Sequence, residues 1–172
     1  DEAFFDLSDR GPSFEDVRQT ARIIKRDVQA ETKLTCSVGL APNRFLAKLG
    51  SEMDKPDGFM VIDPEQIQEY LDPLPVGQIW GVGAVTAKRL ASLGFLRVKD
   101  LRLAPTDLLI RELGSTGRRL QQLAMGIDET PLSGELDSKS ISRETTYAFD
   151  VNDFEEMESE VRRLAQHVAQ SL

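Results

Sequence analysis

Two carboxylates stand side by side at the start of the chain, Asp1 and Glu2, and a third follows at Asp6. Adjacent carboxylates at a strand end can place hard oxygen ligands around divalent cations. Two such cations can stabilise the attacking and leaving oxygens of a phosphoryl transfer. In an acidic chain the plain alternative is a solvated terminus. A second set is Ala41-Pro42-Asn43-Arg44-Phe45-Leu46-Ala47-Lys48, followed by Lys55-Pro56-Asp57-Gly58. Lys55 falls in a stretch with turn composition. There its ammonium can reach a triphosphate as a point charge, with simple solvation as the alternative. The third set is the most specific: Ile79-Trp80-Gly81-Val82-Gly83-Ala84-Val85-Thr86-Ala87-Lys88-Arg89-Leu90. It has the form of a helix-hairpin-helix. Gly81 and Gly83 permit a tight turn and let backbone N–H groups approach a phosphate at Gly81, Val82, Gly83 and Ala84. Lys88 and Arg89 add charge. Such an element holds a nucleic-acid backbone without reading bases; a glycine turn between packed helices is the alternative. Gly114-Ser115-Thr116-Gly117-Arg118-Arg119 is a weaker second turn of the same kind.

The charge distribution favours the hairpin reading. The 172-residue chain carries a net charge of −8, which taken whole argues against nucleic acid. Residues 1–75 carry −6, residues 76–126 carry +5 and residues 127–172 carry −7. The basic segment coincides with the hairpin. One cysteine and one histidine exclude an intramolecular disulfide framework and a Cys/His zinc site. Cys36 reads as a core residue, and His167 as a boundary residue without chemistry. No apolar run reaches the ~18 residues of a membrane span, and no signal peptide opens the chain. The expectation is a soluble, cytoplasmic protein.

The elements that must position these residues alternate at first. Residues 1–8 read as a short strand with Ala3, Phe5 and Leu7 on one face. Ser13 caps a helix whose apolar positions are Phe14, Val17, Ala21, Ile24 and Val28. Thr35 to Leu40 reads as a buried strand, and Asn43 caps a second helix. Phe59 to Ile62 is a short strand, and Asp63-Pro64 starts a further helix through Leu71. After Pro75 the pattern becomes short helices punctuated by glycine, to about Gly126. Residues 129–138 read as a tether. Lys139 to Phe149, rich in β-branched and aromatic residues, reads as a strand. Asn152 caps a last helix with Glu155 as its capping-box partner. Its stripe is Phe154, Met157, Val161, Leu164, Val168 and Leu172. One strand and one helix cannot bury both their faces, so this last piece looks incomplete.

In this order, five stretches resemble the Y-family translesion DNA polymerases, closest to the DinB branch. They are DEAFFDLS, SVGLAPNRFLAKLGSEMDKPDG, LPVGQIWGVGAVTAKRLASLGF, LGSTGRRLQQLAMGID and KSISRETT. KPDG departs from the family's usual KPNG at one turn residue and leaves the lysine in place. The resemblance implies a helix-rich, mixed α/β fold in three parts. Residues 1–63 would be the later part of an α/β palm. Residues 64–128 would be an all-α thumb with the helix-hairpin-helix. Residues 139–172 would open an α+β little finger, left incomplete, with 129–138 as the tether. Asp1 and Glu2 match the family's adjacent catalytic carboxylates, which hold two Mg²⁺ ions. Lys55 matches a lysine that contacts the incoming dNTP's triphosphate. Gly81 to Ala84, with Lys88, would hold a strand of primer-template DNA. Ser140, Ser142, Arg143 and Thr145 would contact template backbone.

The family's other metal-binding aspartate, its fingers, its steric-gate position, most of the little finger and any peptide for the sliding clamp have no counterpart here. The expectation is therefore a fragment, inactive alone, of a larger polymerase. Two other readings stand beside it. One is a non-catalytic helix-hairpin-helix DNA-binding module, which gives no role to Asp1, Glu2 and Lys55. The other is an interaction fragment that self-associates through an unburied sheet edge and the C-terminal apolar stripe.

Overall fold

A computed structural model describes residues 2–11, 13–132 and 140–171. Two compact units divide the chain, Asp1–Leu132 and Ser133–Leu172. Helix α1 (Phe14–Thr32) starts where the sequence places it. Ser13 accepts from the Asp16 amide, and Asp16 returns a bond to the Ser13 amide, a reciprocal cap. Strand β1 (Val38–Leu40) pairs in parallel with β2 (Phe59–Val61), Gly39 opposite Met60. Helix α2 (Arg44–Met53) crosses between them, as a parallel pair requires. Asn43 caps α2 by accepting from the Leu46 amide at 3.0 Å. Gly39 has a packing reason: a Cβ there would collide with the Ala47 carbonyl of α2.

Downstream come α3 (Ile67–Leu71), α4 (Ala84–Ser92), α5 (Val98–Leu103), α6 (Thr106–Leu113) and α7 (Ser115–Ala124). Asp63-Pro64 does open the α3 segment, through a 3-10 turn. One apolar cluster runs from Phe45, Leu46 and Leu49 of α2 to Leu90, Leu109 and Leu120 of the later helices. Two bonds fasten α2 and α3 to the end of α7. Asn43 donates to the Gly126 carbonyl at 2.8 Å and Gln68 to the Met125 carbonyl at 3.0 Å. The residues that precede β1 and those of the hairpin segment lie in the same compact unit.

Several expectations are corrected. Glu2 to Leu7 form no strand; neither they nor any other described residues pair with the free edge of β1. Alternating hydrophobicity gives a strand its face, but the ladder needs a partner. For the same reason β1 begins only at Val38, so Cys36 lies ahead of it and is half-buried rather than core. In the second unit, residues 140–149 form no strand, since no described residues there offer a ladder. Lys139 lies outside the described residues. Helix α8 (Phe154–Ala169) is capped by Asp153, which accepts from the Glu155 and Glu156 amides, not by Asn152. Either residue can cap; the one adjoining the first helical residue does so. None of the described α8 residues is buried. Phe154 and Val161 are exposed and Leu164 and Val168 half-buried, so the stripe is only partly covered by the described residues of its unit; Leu172 lies outside the described residues.

Candidate nucleic-acid and nucleotide site

Ile79 and Val82 are buried and anchor the hairpin. The Val82 amide closes the turn on the Ile79 carbonyl at 2.9 Å. Gly81 sits at φ +90, a conformation that favours glycine. Gly83 is different. Its φ is −78, open to any residue, and a Cβ there would meet nothing within 4 Å. Neither backbone conformation nor packing asks for glycine at 83. Its exposed face leaves room for a close external approach.

Gly83 is also the N-cap of α4, and no side chain caps that end. The first-turn amides of a helix have no intrahelical acceptor. The residues at that end, Gly83, Ala84 and Val85, are exposed, and with the favourable end of the helix dipole this suits a phosphate. Gly81, Gly83, Ala84 and Lys88 are all exposed, whereas Val82 is buried and its amide is already bonded to the Ile79 carbonyl, so the Val82 amide expected to meet a phosphate is taken within the turn. Lys88 has no ion-pair partner among the described residues, whereas Arg89 is paired with Glu112 at 2.5 Å. The Lys88 charge is therefore available.

The second glycine turn is built for another purpose. Gly114, at φ +64, joins α6 to α7. A Cβ on Gly117 would strike the Leu109 carbonyl, so Gly117 permits close packing of α7 on α6. Arg119 is held by Asp128 and Thr130, both at 3.3 Å.

At the other candidate site, the Glu2 carboxylate accepts from Lys48 Nζ at 2.5 Å. Lys48 also lies 3.8 Å from Glu52, and Glu52 accepts from Lys55 Nζ at 2.6 Å. Glu2, Lys48, Glu52 and Lys55 thus alternate in sign along one face of α2 and the turn after it. The Lys48 hydrogen bond and charge hold the Glu2 carboxyl below the usual carboxylate range, with a smaller contribution from Lys55. The sequence brings Glu2 and Lys55 forward; it does not reveal Lys48 as the residue between them. Its signal is helical spacing, since Lys48 and Glu52 are one turn apart.

The turn that carries Lys55 is fixed from α1. Lys25 Nζ donates to the Cys36 carbonyl at 2.6 Å, to the Asp57 carbonyl at 2.9 Å and to the Asp57 carboxylate. Asp57 is thereby matched to a cation, which fits aspartate at the turn position. Glu2, Lys48 and Lys55 all line an open trough of about 1050 Å³, whose apolar wall includes Ile24 and Val28 of α1 and Val38 of β1.

Asp1 lies outside the described residues. Asp6 accepts from the Ser8 amide at 2.9 Å. No group of three metal-ligating side chains occurs among the described residues. Glu2 alone does not make a two-ion donor set. In the second unit Ser140, Ser142, Arg143 and Thr145 are exposed, and the Thr145 hydroxyl contributes to lowering the Glu160 carboxyl, after the larger effect of Arg163. Among the described residues no helix is long and apolar enough to cross a membrane.

Three family models match along the chain. The impB/mucB/samB family covers residues 1–52, the IMS family HHH motif residues 64–95, and the impB/mucB/samB C-terminal domain residues 138–172. DNA polymerase IV of Methanoculleus marisnigri is 42% identical over 172 residues, 100% of this chain and 48% of that protein. Among solved structures, a Y-family DNA polymerase chimera (Dbh-Dpo4-Dbh) superposes with a TM-score of 0.79 at 27% identity, covering 96% of this chain and 48% of its own. DinB from Sulfolobus solfataricus gives 0.66 at 32% identity, covering 75% of this chain and 38% of its own. The chain spans about half the length of the curated relatives it matches. With three models of one family in order along it, and polymerase IV relatives along its whole length, the chain belongs to the impB/mucB/samB family of Y-family, DinB-like DNA polymerases.

Proposed function

We propose that the chain is the late palm (1–63), thumb (64–128), tether (129–138) and opening of the little finger (139–172) of an error-prone translesion DNA polymerase. The observation that carries this reading is the hairpin. Neither a positive φ nor packing requires glycine at 83, no side chain caps α4 there, and Lys88 beside it has no ion-pair partner among the described residues. These features share a unit with Glu2, Lys48 and Lys55. A site for a duplex backbone and a site for a triphosphate in one frame suit a nucleotidyl transferase.

In the whole protein, the primer 3′-oxygen attacks the α-phosphorus of a dNTP and pyrophosphate leaves. Asp1 and Glu2 would be the carboxylates that hold Mg²⁺, which would supply charge neutralisation and nucleophile activation when bound. Lys55 steadies the triphosphate as a point charge. The hairpin grips backbone without reading sequence, and Ser140, Ser142, Arg143 and Thr145 add template-backbone contacts. Sliding-clamp contact belongs to the rest of the protein, which works in the cytoplasm.

The 172-residue chain is expected to bind primer-template duplex and to leave the primer unextended. Metal-dependent extension by the pure chain would overturn its inactivity. In a longer chain with the upstream segment restored, Asp1→Ala and Glu2→Ala are expected to abolish extension and leave duplex binding intact. Extension that survives both substitutions would contradict the catalytic assignment of Asp1 and Glu2, whereas duplex binding without extension by the unsubstituted longer chain would favour a non-catalytic DNA-binding module.

A further inference from the structure

Arg44 opens α2, and its surroundings are unusual for a cation. Its guanidinium carbon lies 4.7 Å from the centroid of the Phe4 ring and 5.0 Å from that of Trp80. It has no carboxylate partner among the described residues. Its Nε is buried and without a hydrogen-bond acceptor. An unsatisfied buried donor is costly, so the two ring faces are what hold the group in place. The backbone on either side is also fixed. Asn43 caps α2 and at the same time donates to the Gly126 carbonyl. Phe4 is two residues from Glu2, and Trp80 directly precedes Gly81. One side chain thus touches both the segment with the carboxylate and the loop with the phosphate-facing amides. Residues 2–7 have no ladder to hold them, so the ring contact at Phe4 is a principal restraint on that segment.

We propose that Arg44 is a positioning residue that locks the segment around Phe4 to the hairpin turn, so that a phosphate backbone held at Gly81–Ala84 also orders the residues beside Glu2. The inference rests on the polymerase reading for its ligand but not for the link itself. Coupling of this kind is reciprocal: order in the Phe4 segment tightens the hairpin by the same factor.

The test uses the whole 172-residue chain. Backbone ¹⁵N relaxation is followed at residues 3–5 and 80–84, together with the emission of Trp80, the one tryptophan. Arg44→Ala is expected to lower the order parameters of both segments from the rigid range near ~0.85 toward ~0.6, with α6 and α7 unchanged. Arg44→Lys keeps a cation and is expected to recover part of that order. Phe4→Leu keeps apolar bulk but removes one ring; it is expected to shift Trp80 emission and raise its acrylamide quenching. A short DNA duplex is expected to raise order at residues 3–5 in the wild type and not in Arg44→Ala. Unchanged order at residues 3–5 in Arg44→Ala overturns the link, as does an equal duplex effect in both proteins. If Arg44→Ala loses order throughout, Phe4→Leu and Arg44→Lys decide the same comparison. No duplex binding by the wild type would contradict the polymerase reading, while the duplex-free comparison still decides the link.

Discussion

At the scale of single residues, Lys48 and Lys25 set the environment of the candidate chemistry. Lys48 holds the Glu2 carboxyl below its usual range. A carboxylate whose pKa is lowered by folding contributes stability above its unfolded value, about 4.3, and loses it as pH falls through the lower folded value. Glu2 is exposed, so the effect on overall stability is small and the titration itself is the quantity to follow. In a ¹³C-carboxyl NMR titration, Lys48→Met is expected to move the Glu2 midpoint upward. A midpoint that stays where it was would show that the contact does not persist in solution. Lys25 acts on the next residue of interest through the backbone. Its three bonds to Cys36 and Asp57 fasten the turn behind Lys55. Lys25→Met is expected to loosen residues 55–58, seen as faster amide exchange there, and to leave α2 intact.

At the scale of elements, the glycines separate packing from binding. Gly117→Ala drives a Cβ into the Leu109 backbone, and overpacking of that kind costs about 1–3 kcal/mol. Gly81→Ala is strained by its positive φ, at about 1–2 kcal/mol. Gly83→Ala meets open space, so it is expected to cost no more than the N-cap preference of glycine over alanine, about 1 kcal/mol or less, and to weaken duplex binding. Equal affinity for duplex in the wild type and Gly83→Ala would remove the hairpin from the interface. These elements were also the most legible in the sequence. Ser13 and Asn43 cap their helices as read, because a capping bond is local and spans three residues. The hairpin glycines are equally local. The patterns of residues 2–7 and 140–149 point to strands that the structure lacks, because a strand is completed by a partner, and hydrophobic alternation says nothing of whether one is present. Glu2–Lys48 and Arg44 with Phe4 and Trp80 span tens of residues, and composition carries no trace of such contacts.

At the scale of the whole molecule, the buried apolar residues among the described ones all fall within Asp1–Leu132. Helix α8 carries ion pairs such as Arg162–Glu158 at 2.7 Å on an exposed surface, and such pairs contribute little. Removal of residues 133–172 is therefore expected to leave the thermal midpoint of the first unit within a few degrees of the full chain. A large loss would mean that the second unit stabilises the first. Charge is likewise unevenly placed, with the positive excess in residues 76–126 of a net-acidic chain. Backbone binding at a locally basic hairpin should be tolerant of sequence and steep in salt. The most direct measurement is fluorescence anisotropy of a labelled primer-template duplex against salt concentration, for the wild type and Lys88→Glu. The expected result is similar affinity for unrelated sequences, steep weakening with salt, and a slope lower by about one unit in Lys88→Glu. No binding at low salt, or affinity and slope unmoved by Lys88→Glu, would contradict the assignment of the hairpin as the nucleic-acid interface.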